Sequence, residues 1–308
     1  MSRIVILGVF VADTAYRAER QPKMGETILG HSFVLGPGGK GSNQAVAAAR
    51  AGADVAFLGR LGRDTFGAMA LDLWRGAGVT SAAIEGDDPT GAAFIFLDAA
   101  TGDNAIIVSP GIAATLTPAD IDARATLIEE AAVFVTQLEQ PMEAAHHALH
   151  LARAAGVTTI LNPAPAAPLP EGMLALCDYV TPNESEAQAL TGLRVADLEG
   201  ARAAGDALLG MGVARAAILT LGAEGVLFHA PDRSVHVPAR PAGPVVETTG
   251  AGDAFNGGFA AALAEGADPV EAARFGCATA GISVTRPGAA ASMPTRAEID
   301  ANRARHPR

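Results

Sequence analysis

Basic residues are scarce in this chain: 22 Lys and Arg stand against 33 Asp and Glu, a formal net charge of −11. That deficit argues against a broad nucleic-acid surface, which needs clustered Lys and Arg. It does not argue against a nucleotide, whose phosphates a few backbone amides and a magnesium ion can hold. Cysteine is almost missing. Cys177 and Cys277 are the only two and form no spaced cluster, so neither a disulfide framework nor a zinc site is signalled, and a reducing cytoplasm is the expected compartment. No run of about 18 uninterrupted apolar residues occurs, so no membrane span is expected. The N-terminal stretch MSRIVILGVFVAD has one Arg and a short apolar run, then turns acidic without a small-residue cleavage site. It reads as a buried strand and not as a secretory signal. Aromatic residues make up only 5%. Internal repeats, low-complexity tracts and flexible linkers are also lacking, and the Pro-rich residues 163–170 are too few to separate two domains.

What is abundant is aliphatic. Of the 308 residues, 49% are hydrophobic, mainly Ala, Val, Leu and Ile, a composition suited to helices packed on a buried parallel sheet. At this length roughly 75% of the unfolded chain's surface can be buried without staples, and one domain over residues 1–308 is expected. Short β-branched runs (3–9, 55–59, 133–136, 158–161, 179–181 and 216–221) alternate with Ala-rich stretches of helical period. The helical stretches are 43–51, 65–77, 118–131, 142–155, 184–191, 199–211, 252–264, 269–284 and 296–303. Such alternation predicts βαβ units with right-handed crossovers. The result is a doubly wound sheet with ligands at the carboxyl ends of its strands. Two segments, approximately 12–36 and 90–109, break the rhythm by alternating apolar and polar residues. The second carries a turn at Gly102, Asp103 and Asn104 and reads as a hairpin. Together they predict a small second sheet beside the main one, able to close over a site or pair with another copy.

One local signal is ETTGAGDAFNGGF (247–259), which follows a β-like stretch and opens an Ala-rich helix. Gly250 and Gly252 let backbone approach a ligand. The free N–H groups of the helix start make an anion site, and Asp253 lies in the first turn beside it. A carboxylate next to an anion site suits phosphoryl transfer to an alcohol: one accepts the hydroxyl proton, the other stabilises the phosphoryl charge. Spacing alone equally allows Asp253 to be an ordinary first-turn acid. The second signal is GPGGKGSNQ (36–44), also ahead of an Ala-rich helix. Its G-x-G-x-x-G match does not follow the first strand as a dinucleotide fingerprint should. Gly41, not Ser or Thr, follows Lys40, so it is no Walker A loop. A Gly-rich turn with Lys40 and Asn43 remains, able to hold a polyol or a phosphate.

The two motifs in this order, with QLE (137–139), NPAP (162–165), TPNESE (181–186) and TLG (220–222) between them, resemble the ribokinase (pfkB-type) family of carbohydrate kinases over essentially the whole chain. The resemblance implies a three-layer α/β/α core with a mostly parallel sheet and a small β-sheet lid. It implies ATP and magnesium as cofactors and a homodimer through the lid. By motif match, Asp253 is the catalytic base and Gly250, Ala251 and Gly252 its anion hole. Asp13, Gly39, Lys40, Asn43 and Glu139 match sugar-site positions. Asn183, Thr220, Gly222 and Cys277 match the nucleotide side, and Glu186 matches a magnesium contact made through water. Glu247, Thr249, Ser283, Arg286, Gly288 and Ser292 match the surroundings of an activating potassium ion, with Glu247 in place of the more usual Asp.

Ribose, phosphorylated on its primary hydroxyl, is the expected substrate. Val11 stands where ribokinases usually carry Asn, and Val cannot hydrogen-bond a sugar hydroxyl. Another sugar, a deoxy sugar or a nucleoside is the alternative, with Phe33, Phe94, Phe96 and Ile106 available to cover a base. A non-catalytic sugar sensor is the remote alternative, and it would be marked by loss of Asp253 or the glycines, which are intact.

Overall fold

The computed structural model describes residues 3–305. Five strands come first: β1 (Arg3–Leu7), β2 (Val11–Ala18), β3 (Ser32–Gly38), β4 (Asp54–Leu58) and β5 (Arg60–Gly62). They are followed by β6 (Val79–Ser81), β7 (Ile84–Gly86), β8 (Thr90–Asp98), β9 (Asn104–Gly111) and β10 (Val133–Thr136). The last five are β11 (Thr158–Leu161), β12 (Tyr179–Val180), β13 (Ala216–Thr220), β14 (Val226–Ala230) and β15 (Arg233–Val237). The main sheet has nine strands in the order β15-β14-β13-β12-β11-β10-β1-β4-β6. It is parallel from β13 to β6 and ends in the antiparallel pair β14 and β15.

Alternation along the central strands divides the core into two layers. Ile4 and Ile6 of β1 enter one apolar cluster, Val5 and Leu7 the other. In β13, Ala216 and Ile218 part from Ala217 and Leu219 in the same way. A strand buried on both faces must be covered on both. Helices α1 (Lys40–Arg50) and α2 (Thr65–Ala77) belong to the first layer. The chain then makes α3 (Pro118–Asp122), α4 (Ala125–Glu129), α5 (Met142–Ala154), α6 (Glu184–Thr191) and α7 (Leu198–Gly210), which supply the second. It returns to the first with α8 (Ala251–Ala264) and α9 (Pro269–Ser283), and ends in α10 (Arg296–Arg305).

The helix expected over 118–131 is two helices. A capping box of Thr117 and Asp120 starts α3, and Arg124 leaves helical geometry before α4. The two irregular segments form a separate four-stranded sheet, β3-β2-β8-β9. Its hairpin turn is held by Asp98, whose carboxylate accepts from the amides of Ala100 and Thr101. The short pair β5 and β7, together with β6, β14 and β15, was not foreseen. β5, β6 and β7 have three residues each, and β15 lies at an edge. β14 has five buried residues inside the sheet and was missed because no α-helix separates it from β13.

Candidate active site

The helix pair α1 and α8 sets the geometry. At Gly257, one turn after Asp253, a Cβ would stand 2.5 Å from Ala47 Cβ and 2.7 Å from the Gln44 carbonyl. Only glycine admits that approach. It brings the first turns of both helices together. Trp74, fully buried under α1, donates from Nε1 to Ser42 Oγ at 2.9 Å and packs on Phe57 with ring centres 4.2 Å apart.

In the gap so defined sits Asp253, itself buried. Its Oδ2 accepts from Asn43 Nδ2 at 3.0 Å, and its Oδ1 accepts from Gln44 Nε2 at 3.1 Å. Burial pushes its carboxyl pKa up, while the charge of Lys40 and these two hydrogen bonds pull it down. Gly250 precedes α8 in the left-handed region, at φ 78°. No side chain caps this helix start, and of its first amides that of Ala251 donates to the Thr248 carbonyl at 3.1 Å. A Cβ at Gly252 would meet nothing within 4 Å. A helix start without a side-chain cap beside a buried carboxylate can serve as an anion site with an acid next to it.

The carboxyl ends of the strands bring the other candidates to the same edge. Glu139 follows β10, and its Oε2 accepts from the Lys40 amide at 2.8 Å. Burial first, and then the charges of Asp253 and Asp13, raise its pKa to about 7 against the pull of Lys40. Asp13, on β2 of the small sheet, is raised to about 6 by burial. Gly39, at φ 90°, is the residue on which α1 begins, between these acids. Asp13, Lys40, Asn43, Glu139 and Asp253 are thus one electrostatically coupled group.

The nucleotide-side candidates lie at the ends of β12 and β13 and on α9. Asn183 caps α6 and bridges to Thr220 at the end of β13. Glu186 is the other half of that cap, its Oε2 accepting from the Asn183 amide at 2.8 Å. One oxygen of Glu186 is therefore structural and the other remains for a water. Burial raises its pKa. Gly222, at φ 52°, opens an exposed turn after β13. Cys277 is buried in α9 with its thiol pushed up to about 12 by burial, which makes it unreactive.

The expected cation residues fall on two adjoining loops. Glu247 Oε2 accepts from the Gly288 amide at 2.8 Å, and the amides of Val246 and Glu247 donate to the Val284 carbonyl. Ser283 and Ser292 turn their hydroxyls to the carbonyls of Ala280 and Ala289. Arg286 pairs with Glu298, and Thr249 is exposed. Among the described residues no cluster of three or more His, Cys, Asp or Glu could hold a metal ion. A cation here would depend on Glu247 and on carbonyl oxygens.

The small sheet divides its residues by strand alternation. Asp13 shares a face with Val11, Ala15 and, through the register, Val34, Ile106 and Val108. Tyr16, Phe33 and Phe94 form an aromatic cluster on the opposite face, with ring centres 4.9 and 5.5 Å apart. Phe33 and Phe94 therefore do not cover a base beside Asp13. Val11 packs with Val9 and Ala113 in an apolar cluster of its own.

Sequence reasoning passed over the amides behind Asp253. Gln44, Gln137, Asn162, Thr181 and Asn256 are all buried and hydrogen-bonded in series. Each stands within a motif that carried the family resemblance, and their polarity at strand ends and in an otherwise apolar helix was the signal that could have assigned them a role.

A three-layer α/β body with a small second sheet, and a helix-start anion site beside a buried acid, define the class: a kinase for small alcohols. The profile of the pfkB family carbohydrate kinases matches residues 1–296. A ribokinase of Haemophilus influenzae is 38% identical over 297 residues, covering 96% of each chain. A deoxyribokinase of Salmonella typhi is 35% identical, covering 95% of each. A structure of Arabidopsis thaliana ribokinase complexed with ribose and ATP superposes with a TM-score of 0.92 at 31% identity, covering 98% of both chains. The chain belongs to the pfkB family of carbohydrate kinases.

Proposed function

We propose that the protein transfers the γ-phosphoryl group of ATP to the primary hydroxyl of ribose, giving ribose 5-phosphate and ADP. The observation that carries this reading is Asp253, buried beside the uncapped start of α8 and held by Asn43 and Gln44. The ribokinase relatives and the ribose-and-ATP complex support the choice of sugar.

Ribose lies between Asp13 and Asp253, with Gly39, Lys40, Asn43 and Glu139 around it. Asn43 Oδ1 is buried without a partner, an acceptor suited to a sugar hydroxyl. Asp253 takes the proton of the primary hydroxyl as that oxygen attacks the γ-phosphorus, and the bond to the β-phosphate oxygen breaks. The amides of Gly250 and Gly252 receive the phosphoryl charge, joined by that of Ala251 when it gives up its bond to the Thr248 carbonyl. ATP runs along the strand ends past Asn183, Thr220, Gly222 and Cys277. Glu186 would reach a magnesium ion through water, and such an ion would supply charge neutralisation for the phosphates. Glu247 and the surrounding carbonyls of the two adjoining loops would hold a potassium ion, which would add positive charge beside the anion site. The small sheet acts as a lid that excludes water and joins two copies. The two buried, unpaired cysteines suit a cytoplasmic protein, and among the described residues no helix is long and apolar enough to cross a membrane.

A second reading, phosphorylation of deoxyribose, is favoured by one observation. The apolar cluster of Val9, Val11 and Ala113 stands on the Asp13 side of the pocket and offers no partner to a hydroxyl. A buried unpaired hydroxyl costs about 1–3 kcal/mol.

The test is ADP release by the purified protein with magnesium–ATP, over ribose, 2-deoxyribose, other sugars and nucleosides, in potassium and in sodium. Highest kcat/KM on ribose and faster turnover in potassium are expected. The Asp253→Asn variant should lose at least about 10²–10⁴-fold in kcat while still binding ATP. Turnover kept by that variant removes Asp253 as the base.

A further inference from the structure

Gln44 is fully buried on α1 and spends every polar atom of its side chain. Its amide nitrogen donates to Asp253 Oδ1 and to Asn162 Oδ1, both at 3.1 Å. Its oxygen accepts from Gln137 Nε2 at 2.7 Å. A primary amide has two N–H donors, so both are committed and the orientation is unique. Turned over, the amide would set its oxygen against two oxygens.

The series continues beyond it. Asn162 donates to the Thr181 carbonyl at 2.9 Å, and the Thr181 hydroxyl donates to Asn256 Oδ1 at 2.7 Å. Asn256 then donates to the Gly252 carbonyl at 2.9 Å. A connection that leaves α8 at Asp253 thus returns to α8 at Gly252, through α1 and the ends of β11 and β12. All of its side-chain members are buried. The two donors to Asp253 are neutral. A cation in Gln44's place would also hold the oxygen, but it would lower the carboxylate's proton affinity and so weaken it as a base.

We propose that Gln44 is the positioning residue of the phosphoryl-transfer site: it fixes the plane of the Asp253 carboxylate, and Gln137, Asn162 and Asn256 fix Gln44 and the Gly252 peptide in turn. The inference rests on the reading of Asp253 as general base. Lys40, Asn43 and Gln44 act on Asp253 from α1, while Glu139 and Glu186 couple to it by charge from the loop after β10 and from α6.

Gln44→Met keeps the volume and removes both donors. With the full chain, kcat is expected to fall about 10–100-fold, as for a small misplacement of a reacting group, with KM for sugar and ATP within about threefold. Loss of a hydrogen bond donated to the charged form raises the carboxyl pKa. Less base is then present at a given pH, so the acid limb of the kcat–pH profile moves up. Mere space-filling would lower thermal stability and leave the limb where it was.

A folded Gln44→Met enzyme with kcat within about twofold of the parent, or with an unmoved limb, overturns the proposal. If that variant does not fold, Gln137→Met tests it at one remove, because Gln44 keeps its bond to Asp253 and loses its anchor. A smaller fall with the limb moved the same way supports the proposal; unchanged kcat and limb overturn it. The Asp253→Asn control separates the two readings. Turnover without Asp253 sinks the base assignment itself, whereas a dead Asp253→Asn beside a normal Gln44→Met sinks only the role of Gln44.

Discussion

At the scale of single residues, the pocket acids are charges kept where charge is unfavourable. Asp13 stands at about 6 and Glu139 at about 7, each lifted by burial from values of about 4 in an open chain. An acid whose folded pKa is raised contributes stability that is complete below its unfolded pKa. That contribution is lost as pH rises through the folded value. For this pair the loss runs from about pH 4 to about pH 7. Asp13→Asn and Glu139→Gln are therefore expected to melt at or above the parent's temperature at pH 7.5, with the difference closing near pH 4.5, while both lose sugar turnover. Thermal denaturation across that range checks it. Variants that melt well below the parent at pH 7.5 would show the carboxylates to be stabilising.

At the scale of elements, the contact of α1 with α8 carries the site. Gly257→Ala would put a methyl group 2.5 Å from Ala47 Cβ and 2.7 Å from the Gln44 carbonyl, so the helices must part. Overpacking of this kind costs about 1–3 kcal/mol. It should also lower kcat, because Asn43 and Gln44 ride on the helix that moves. Gly210→Ala in α7, where a Cβ meets nothing within 4 Å, should leave both stability and turnover as they are or better. Melting and kcat measured on the two variants decide it. Equal behaviour of both would mean that the helix contact does not hold the site.

The elements also show how far the sequence could be read. The central strands and the helices α1, α5, α8 and α9 were legible because a buried parallel strand is an unbroken apolar run and these helices are Ala-rich with clear ends. The small sheet was legible from its alternation. The break between α3 and α4 was not, because no Gly or Pro marks it; Ala123 and Arg124 read as helix formers. Asp253, Asn43, Lys40 and Glu139 were legible by motif. The buried amides were quoted within motifs yet given no role. Hydrogen bonds between residues 93, 118 and 209 positions apart leave no local pattern.

At the scale of the whole molecule, the face of the small sheet turned from Asp13 exposes Tyr16, Phe33, Leu35, Phe94 and Ile107. An aromatic surface of this kind is expected in an interface, and the proposed homodimer would cover it. Light scattering should give twice the chain's 31.1 kDa for the parent. Phe33→Glu with Phe94→Glu should give the monomer. A parent that stays monomeric at assay concentration would exclude the lid-to-lid dimer.

The bond between Asn43 and Asp253 joins residues 210 positions apart. During synthesis, the proposed sugar-binding residues of the small sheet and α1 leave the ribosome long before Asp253, the proposed base. On that reading a nascent chain is catalytically silent until the start of α8 emerges. It cannot spend ATP half-made, and truncation products of this protein should be inert toward ATP.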